Sequence, residues 1–456
     1  MKISSIRNIF IVLILCLVGV SCKDNSTGAN NSRKATFQGK VESGSSSSSV
    51  KSPGQARNVP SSAQSTSGVD GAVVMAATVQ SNGKLKTIGS SKATTDAQGN
   101  YTLKVNVSGV NASERNKIVI VAKNSSGQIN KAFVASKVKN GSTFTVQPIR
   151  NQSSAQVEVY QSAVANGNAD EVSKAEIEVT VRGSVAADIE NNTQYATNVA
   201  AALASSVKAK AKFYAQNGIN MSSKKLQAIA KAEEKAEVKL QGKLNSATSV
   251  SEKQTAFNTF LKSVAKAEIN AGVKAWAAAE SDELAARMIL QNSTSLSTSA
   301  QNALRQHAYF YAAVAIDAAA QAQAKAAGAS SSTINAIANA GNTLQTTIKN
   351  SSSATQKAVA SAYAQFNDSV ETAIKNDSSL NGSAFATVNT SIGASGGLKS
   401  TFESKISASS DVSSMIQAYS DFTSSVKSMV QSNFTSAGSS KVMAYTRLLV
   451  LINLAS

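Results

Sequence analysis

Tyr101-Thr102-Leu103-Lys104-Val105-Asn106-Val107 decides the first half of the fold. Apolar and polar residues alternate along it with period two, the pattern of a strand with one buried face. Working outward, Lys117-Ile118-Val119-Ile120-Val121-Ala122 is continuous and β-branched, which suits a central strand. Phe37 to Val41, Gly71 to Val79, Ala132-Phe133-Val134 and Thr143 to Val146 extend the set. Turn signals separate these runs at Asn82-Gly83, Gln98-Gly99-Asn100, Ser126-Gly127 and Asn140-Gly141. Short strands at this spacing predict an antiparallel β-sandwich over residues 36–160. Residues 161–184 read as a linker. Within it, Ala175 to Arg182 alternates strictly, which fits a strand and leaves a helix start open.

From Val185 onward the period becomes helical. Residues 185–217 run without a Pro and stop at Asn217-Gly218, a helix-ending signal. Ser223 opens a further helix, and Ser251 or Thr255 opens one carrying the stripe Phe257, Phe260, Leu261, Val264. Ser299 starts a long Ala-rich helix that ends at Gly328. Helical stretches follow near 333–349, 354–376, 398–408, 411–434 and 440–454. The only prolines are Pro53, Pro60 and Pro148, so nothing after them breaks a helix by that route. Ala at buried positions lets helix axes approach closely. The expected fold is therefore α+β: an N-terminal antiparallel β-sandwich, then a larger Ala-rich all-α helical bundle over 185–456.

Composition removes several function classes. Outside the N-terminus no run of ~20 apolar residues exists, which excludes a polytopic transporter. Two Cys cannot staple a disulfide scaffold. One His, His307, leaves no His-based metal centre.

The first 22 residues read as an export signal. Lys2 and Arg7 form its positive region, Ile9 to Val20 its apolar run, and small residues precede Cys22. Cys22, with Ser21 before it, resembles the lipidated cysteine of bacterial lipoproteins; Gly19 stands where that pattern usually has Leu. Cys16 lies inside the apolar run and makes a poor cleavage site. The resemblance implies removal of residues 1–22, acyl chains such as palmitate on Cys22, and anchoring to a membrane through the N-terminal lipid, with the outer membrane as the expected address. Residues 23–35, rich in Asn, Ser, Thr and Gly, would be a flexible tether.

Thr95-Asp96-Ala97-Gln98-Gly99-Asn100-Tyr101-Thr102-Leu103 resembles the T-D-x-x-G-x-[YF]-x-L signature of carboxypeptidase regulatory-like domains, which have a transthyretin-like sandwich. The roles follow from chemistry. Asp96 can accept turn amides, Gly99 can take positive φ, and Tyr101 and Leu103 then point into the core. A Ser-rich insertion at 42–70 lengthens one loop beyond the family pattern. The family implies an accessory or structural module with no catalytic residue to carry over.

Candidate chemistry is sparse. Gly393-Ala394-Ser395-Gly396-Gly397 matches G-x-S-x-G, but the hydrolase order needs a His after the Ser, and His307 precedes it. Ser205/Lys208 and Ser263/Lys266 have Ser-x-x-Lys spacing without the partner motifs of β-lactamases. His307, beside Tyr309 and Tyr311, reads as a packing or half-exposed helix residue. Glu280-Ser281-Asp282-Glu283 could hold a cation, but reads better as a helix start with Ser281 or Asp282 as cap. Tyr445 to Leu454 reads as a buried helix end. No catalytic residue, metal site or cofactor is expected, so the protein should not be an enzyme.

The charge is uneven. Lys23 to Tyr160 carries 17 Lys+Arg against 6 Asp+Glu, whereas Gln161 to Ser456 carries 26 against 21. Lys84, Lys86, Lys117, Lys123, Lys131, Lys137, Lys139 and Arg150 are candidates for a basic face. Such a face attracts anionic polysaccharide, anionic lipid or a host matrix component. Without interleaved aromatics, native nucleic-acid binding is not expected. The expected function is a lipid-anchored envelope protein with a structural or adhesive role. The alternatives are a periplasm-facing assembly or binding factor, or an accessory subunit of an envelope hydrolase.

Overall fold

The computed structural model describes residues 34–43, 67–169, 171–350, 355–380, 382–393, 397–409, 412–433 and 436–454. Cys22, the tether up to residue 33, the Ser run of the 42–70 insertion and Ser395 of the G-x-S-x-G stretch lie outside these residues. The fold is α+β, with two small, mostly antiparallel sheets followed by helices.

The strands are β1 (Ala35–Lys40), β2 (Val73–Val79), β3 (Leu85–Thr87), β4 (Ala93–Thr94), β5 (Asn100–Val105), β6 (Ile118–Lys123), β7 (Ile129–Phe133) and β8 (Thr143–Thr145). One sheet has the order β5-β1-β8; the other has β3-β2-β6-β7, with β4 also paired to β2. The β1–β8 pair is parallel, an exception to the antiparallel expectation. Along β5 the predicted alternation holds: Tyr101, Leu103 and Val105 are buried while Thr102 and Lys104 are exposed. These side chains meet Phe37, Val74, Ile118 and Ile120 in one core between the sheets.

The Thr95–Leu103 turn is built as its residues require. The Asp96 Oδ1 accepts the backbone amides of Gln98 (3.0 Å) and Asn100 (2.8 Å). The Asn100 side-chain amide also donates to this carboxylate (3.1 and 3.2 Å), and that bond first, then the backbone ones, holds it below the usual Asp range. Gly99 has φ +76°. Tyr101 reaches the core over Gly39, its cross-strand neighbour; a Cβ at Gly39 would lie 2.9 Å from the Tyr101 hydroxyl.

Strand β6 is buried along both faces from Ile118 to Ala122. The reason is a helix, α1 (Asn151–Ala165), over the outer face of the sheet. Phe133, the neighbour of Val119 across the ladder, packs edge-on against Tyr160 of α1 at 5.5 Å. Residues 151–160, grouped above with the strands, are therefore helical. So is most of the alternating segment: α2 (Lys174–Thr180) starts with a capping box in which Ser173 and Glu176 bond each other's backbone amides. That local pairing outweighs the strand-like alternation of a helix most of whose side chains, polar Glu178 included, are buried.

The long run from 185 to 217 is two helices, α3 (Ser184–Asn191) and α4 (Gln194–Gln216), parted at Asn192-Thr193. Next come α5 (Ser223–Ser246), α6 (Val250–Ala265), α7 (Ala267–Asn270) and α8 (Ala275–Gln291). Then follow α9 (Thr298–Ala327), α10 (Ser331–Asn350), α11 (Gln356–Lys375), α12 (Ser383–Gly393), α13 (Leu398–Ala408), α14 (Val412–Asn433) and α15 (Ser436–Leu454). Helix α6 starts at its own Ser249–Glu252 capping box, ahead of the expected Ser251 or Thr255. Small residues make the close contacts: Ala312, Ala313, Ala315, Ala319 and Ala320 of α9 are inaccessible. Gly341 of α10 lies against the Asp317 carboxylate, where a Cβ would fall 2.2 Å from Oδ1. At the C-terminal end, Tyr445, Leu448, Leu449 and Leu451 are buried, as the apolar stretch predicts.

Contacts divide the chain into two units that interleave in sequence. The first joins the described residues up to Ala204 with Ser222–Ala267 and Ser295–Ala300. The second joins Ser205–Met221, Glu268–Thr294 and Gln301–Ser456. Among the described residues, no helix is long and apolar enough to cross a membrane.

Candidate functional site

The candidate basic residues fall into three groups. Lys86 of β3 stands in the same cross-strand row as Thr78 and Ile118. Lys84 closes the adjoining turn, where its carbonyl accepts the Gln80 amide (2.8 Å), and the Lys117 carbonyl accepts the Val79 amide (3.1 Å). Lys137 and Lys139 flank Val138, whose amide donates to the Arg115 carbonyl (3.1 Å). These bonds gather Lys84, Lys86, Lys117, Lys137 and Lys139 toward one end of the larger sheet, and all but half-buried Lys117 are exposed. Lys123 is exposed at the opposite end of β6, about 17 Å away at the usual rise per residue. Lys131 and Arg150 are elsewhere and paired: Lys131 with Glu158 (3.4 Å) of α1, Arg150 with Glu42 (3.8 Å). Asp96, Gly99 and Tyr101 support the turn and core described above.

At the Lys123 end of the sheet is an open cavity of about 260 Å³, lined in part by Glu42, Ser43, Asn124, Gln128, Asn130 and Asn151. Its amides bond one another: the Asn124 Nδ2 donates to Gln128 (3.3 Å), and the Gln128 Nε2 to Asn151 (3.3 Å). Glu42 also faces Lys253 at 3.5 Å. These side chains include no nucleophile with a general base.

The second unit contains a buried cluster of charges. Glu280-Ser281-Asp282-Glu283 does not start a helix: it lies in the middle of α8, and all four residues are 3% exposed or less. The acidic stretch is stable there because cations from other turns reach it. Lys210 of α4 approaches Asp282 (2.5 Å) and Glu268 of α7 (2.7 Å). The Tyr214 hydroxyl donates to Glu268 and lies 2.7 Å from the Ser281 hydroxyl. Burial alone would lower the Lys210 pKa; Asp282 and Glu268 raise it well above the usual lysine value. Glu283 bonds Arg287 one turn later (3.1 Å). Glu280 meets Thr423 (3.4 Å) and the field of Arg447, whose guanidinium stacks 3.2 Å over Trp276.

Burial pushes the Glu280 pKa up to about 7, against the opposing pull of Arg447. A carboxyl raised in the folded state favours folding below its unfolded pKa, and that contribution is lost as pH rises toward 7. We expect the second unit to be more resistant to urea at pH 4.5 than at pH 7.5 on this account. The Glu280→Gln variant should narrow the difference between the two midpoints; an unchanged difference would exclude Glu280 as its source.

The first unit has a comparable cluster. Lys174 donates to the Val134 carbonyl (2.7 Å) beneath the rings of Phe133 and Tyr160. Glu178 accepts from Gln147 (3.1 Å), and burial raises the Glu237 pKa to about 8 against the pull of Lys174. Sequence reasoning missed Lys174, Lys210, Tyr214, Glu237 and Glu268. The available signals were the i,i+4 spacings of Lys210 and Tyr214 on α4 and of Glu283 and Arg287 on α8. Among the described residues, no group of three His, Cys, Asp or Glu could hold a metal ion. Half-buried His307 lies on α9. Comparison with protein-family models, curated proteins and solved structures finds no match.

Proposed function

We propose that this chain is a lipid-anchored protein of the bacterial cell envelope with a non-enzymatic, structural or adhesive role. In this reading Cys22 carries the anchor, and the β-part, a transthyretin-like module, presents a basic surface to polyanions. The observation that carries the polyanion reading is the gathering of Lys84, Lys86, Lys117, Lys137 and Lys139 toward one sheet end. By contrast, the conspicuous interior cations, Lys174 and Lys210, already face carbonyl or carboxylate oxygens. A cluster of exposed ammonium groups attracts a polyanion with an affinity that falls as salt screens it.

Titration with heparin as a model polyanion tests this. We expect binding at ~50 mM salt that weakens steeply by ~200 mM. Replacing Lys84, Lys86, Lys137 and Lys139 together by Ala should reduce affinity by about tenfold or more. Replacing Lys357 and Lys375 on α11 should leave it unchanged. Equal losses from both sets, or no binding at low salt, would overturn the basic-surface reading.

A further inference from the structure

We propose that Lys210 and Asp282 form an intramolecular isopeptide bond, with Glu268 as the proton carrier. The three groups meet in one unit and in one place. The Lys210 Nζ lies 2.5 Å from Asp282 Oδ1 and 2.7 Å from Glu268 Oε1. An amine so close to a carboxyl oxygen is one bond from the carboxyl carbon, within the ~3–3.5 Å span of a reactive pair. Lys210 and Asp282 side chains are 11% and 2% exposed, so bulk water does not compete for either. The Tyr214 hydroxyl holds Glu268 from its far side, and Tyr214 also reaches Ser281, beside Asp282. Glu268 is thus fixed against the amine and near the carboxyl that would react.

The chemistry balances without an added reagent. Lys210 starts as an ammonium and Asp282 as a carboxylate. The ammonium is the resting form, because Asp282 and Glu268 hold its proton; proton transfer through Glu268 gives, as the minor reactive form, a neutral amine and a neutral carboxylic acid. The amine lone pair attacks Asp282 Cγ, and the Nζ–Cγ bond forms. Glu268 takes a proton from nitrogen and returns it to the departing hydroxyl. The Cγ–O bond breaks and water leaves. The ammonium loses two protons, the carboxylate loses one oxygen, and together they make that water. Fixed orientation replaces the activation that an intermolecular amide would need. The product would tie α4 to α8 across 72 residues of sequence.

Mass spectrometry of the full chain, denatured and digested with trypsin, tests the proposal. Trypsin does not cut after an acylated lysine. The expected species is 209–212 joined to 275–287, lighter than the summed peptides by one water, about 18 Da. The Glu268→Gln variant keeps the shape of the side chain and cannot shuttle the proton; its digest should yield the peptides unjoined. Lys210→Arg should do the same. Asp282→Asn should restore the same joined peptide by releasing ammonia in place of water. Free 209–210 and free 275–287 at full yield from the wild-type chain would overturn the proposal, whatever the variants do. A joined peptide of undiminished yield in Glu268→Gln would overturn the role of Glu268.

Discussion

Replacing Lys210 by Met should lower the stability of the second unit by at least about 3–5 kcal/mol, the usual cost of leaving a buried carboxyl without its cation, and loss of the proposed Lys210–Asp282 bond adds to it. The side chain is of similar length, so loss of volume contributes little. What changes is charge. Asp282 and Glu268 both lie against the Lys210 Nζ, at 2.5 and 2.7 Å. Without it two carboxyls face each other in a dry site, and each must either take up a proton or remain uncompensated. Urea unfolding followed by circular dichroism measures the loss. Protonation offers partial relief, so the deficit should shrink as pH falls toward 4. Adding Asp282→Leu to Lys210→Met should recover part of the loss, because a buried pair replaced as a pair costs less than a broken one. A single Lys210→Met variant as stable as wild type at pH 7.5 would show that the cluster is not buried as described.

Gly99→Ala should strongly destabilise the first unit. Two costs add. The backbone is at φ +76°, where an L-residue pays about 1–2 kcal/mol. A Cβ would also stand 2.3 Å from the Val41 carbonyl oxygen and 2.9 Å from Gly68 Cα, and relieving such overlap costs about 1–3 kcal/mol more. The expected total is about 3 kcal/mol. Gly127 is the control. Its φ is +86°, yet a Cβ there meets nothing within 4 Å, so Gly127→Ala should cost only the backbone share. Thermal unfolding of the two variants separates conformational strain from close approach. Equal midpoints would mean that the contact of Gly99 with Val41 and Gly68 is not tight.

Much of the fold is legible because local chemistry and tertiary demand agree. Strand β5 alternates because one face is buried and the other solvated. The Asp96–Gly99 turn is dictated by one carboxylate and one residue free to adopt positive φ. Helix α2 is the opposite case. Its alternation mimics a strand, and the deciding signal is the four-residue spacing Ser173-x-x-Glu176. Helix α1 is not announced by periodicity, since it buries polar Ser153, Ser154 and Gln156 together with Val157 and Val159. The buried charges were mostly beyond local reasoning; only the i,i+4 pair Glu283–Arg287 falls within one helical turn. The three acids of Glu280-Ser281-Asp282-Glu283 read as a solvated helix start, and Lys210, Arg287 and Arg447 explain their place in the interior. Lys210 and Arg447 are 72 and 167 residues from their acids, separations that no windowed pattern spans. The placement of the basic residues was half legible: composition locates the excess charge in the β-part, while the strand register and the ion pairs with Glu158 and Glu42 set Lys123, Lys131 and Arg150 apart from the other five.

Protease digestion of intact cells, with a periplasmic marker as integrity control and Cys22→Ala alongside, tests most directly whether this is an anchored, outward-facing envelope protein. The predicted result is that the wild-type chain is trimmed while the marker survives, and that Cys22→Ala leaves the membrane fraction. A chain protected until the outer membrane is opened would contradict outward display and favour a periplasm-facing factor. A Cys22→Ala chain that stays with the membrane as wild type does would contradict the lipid anchor itself.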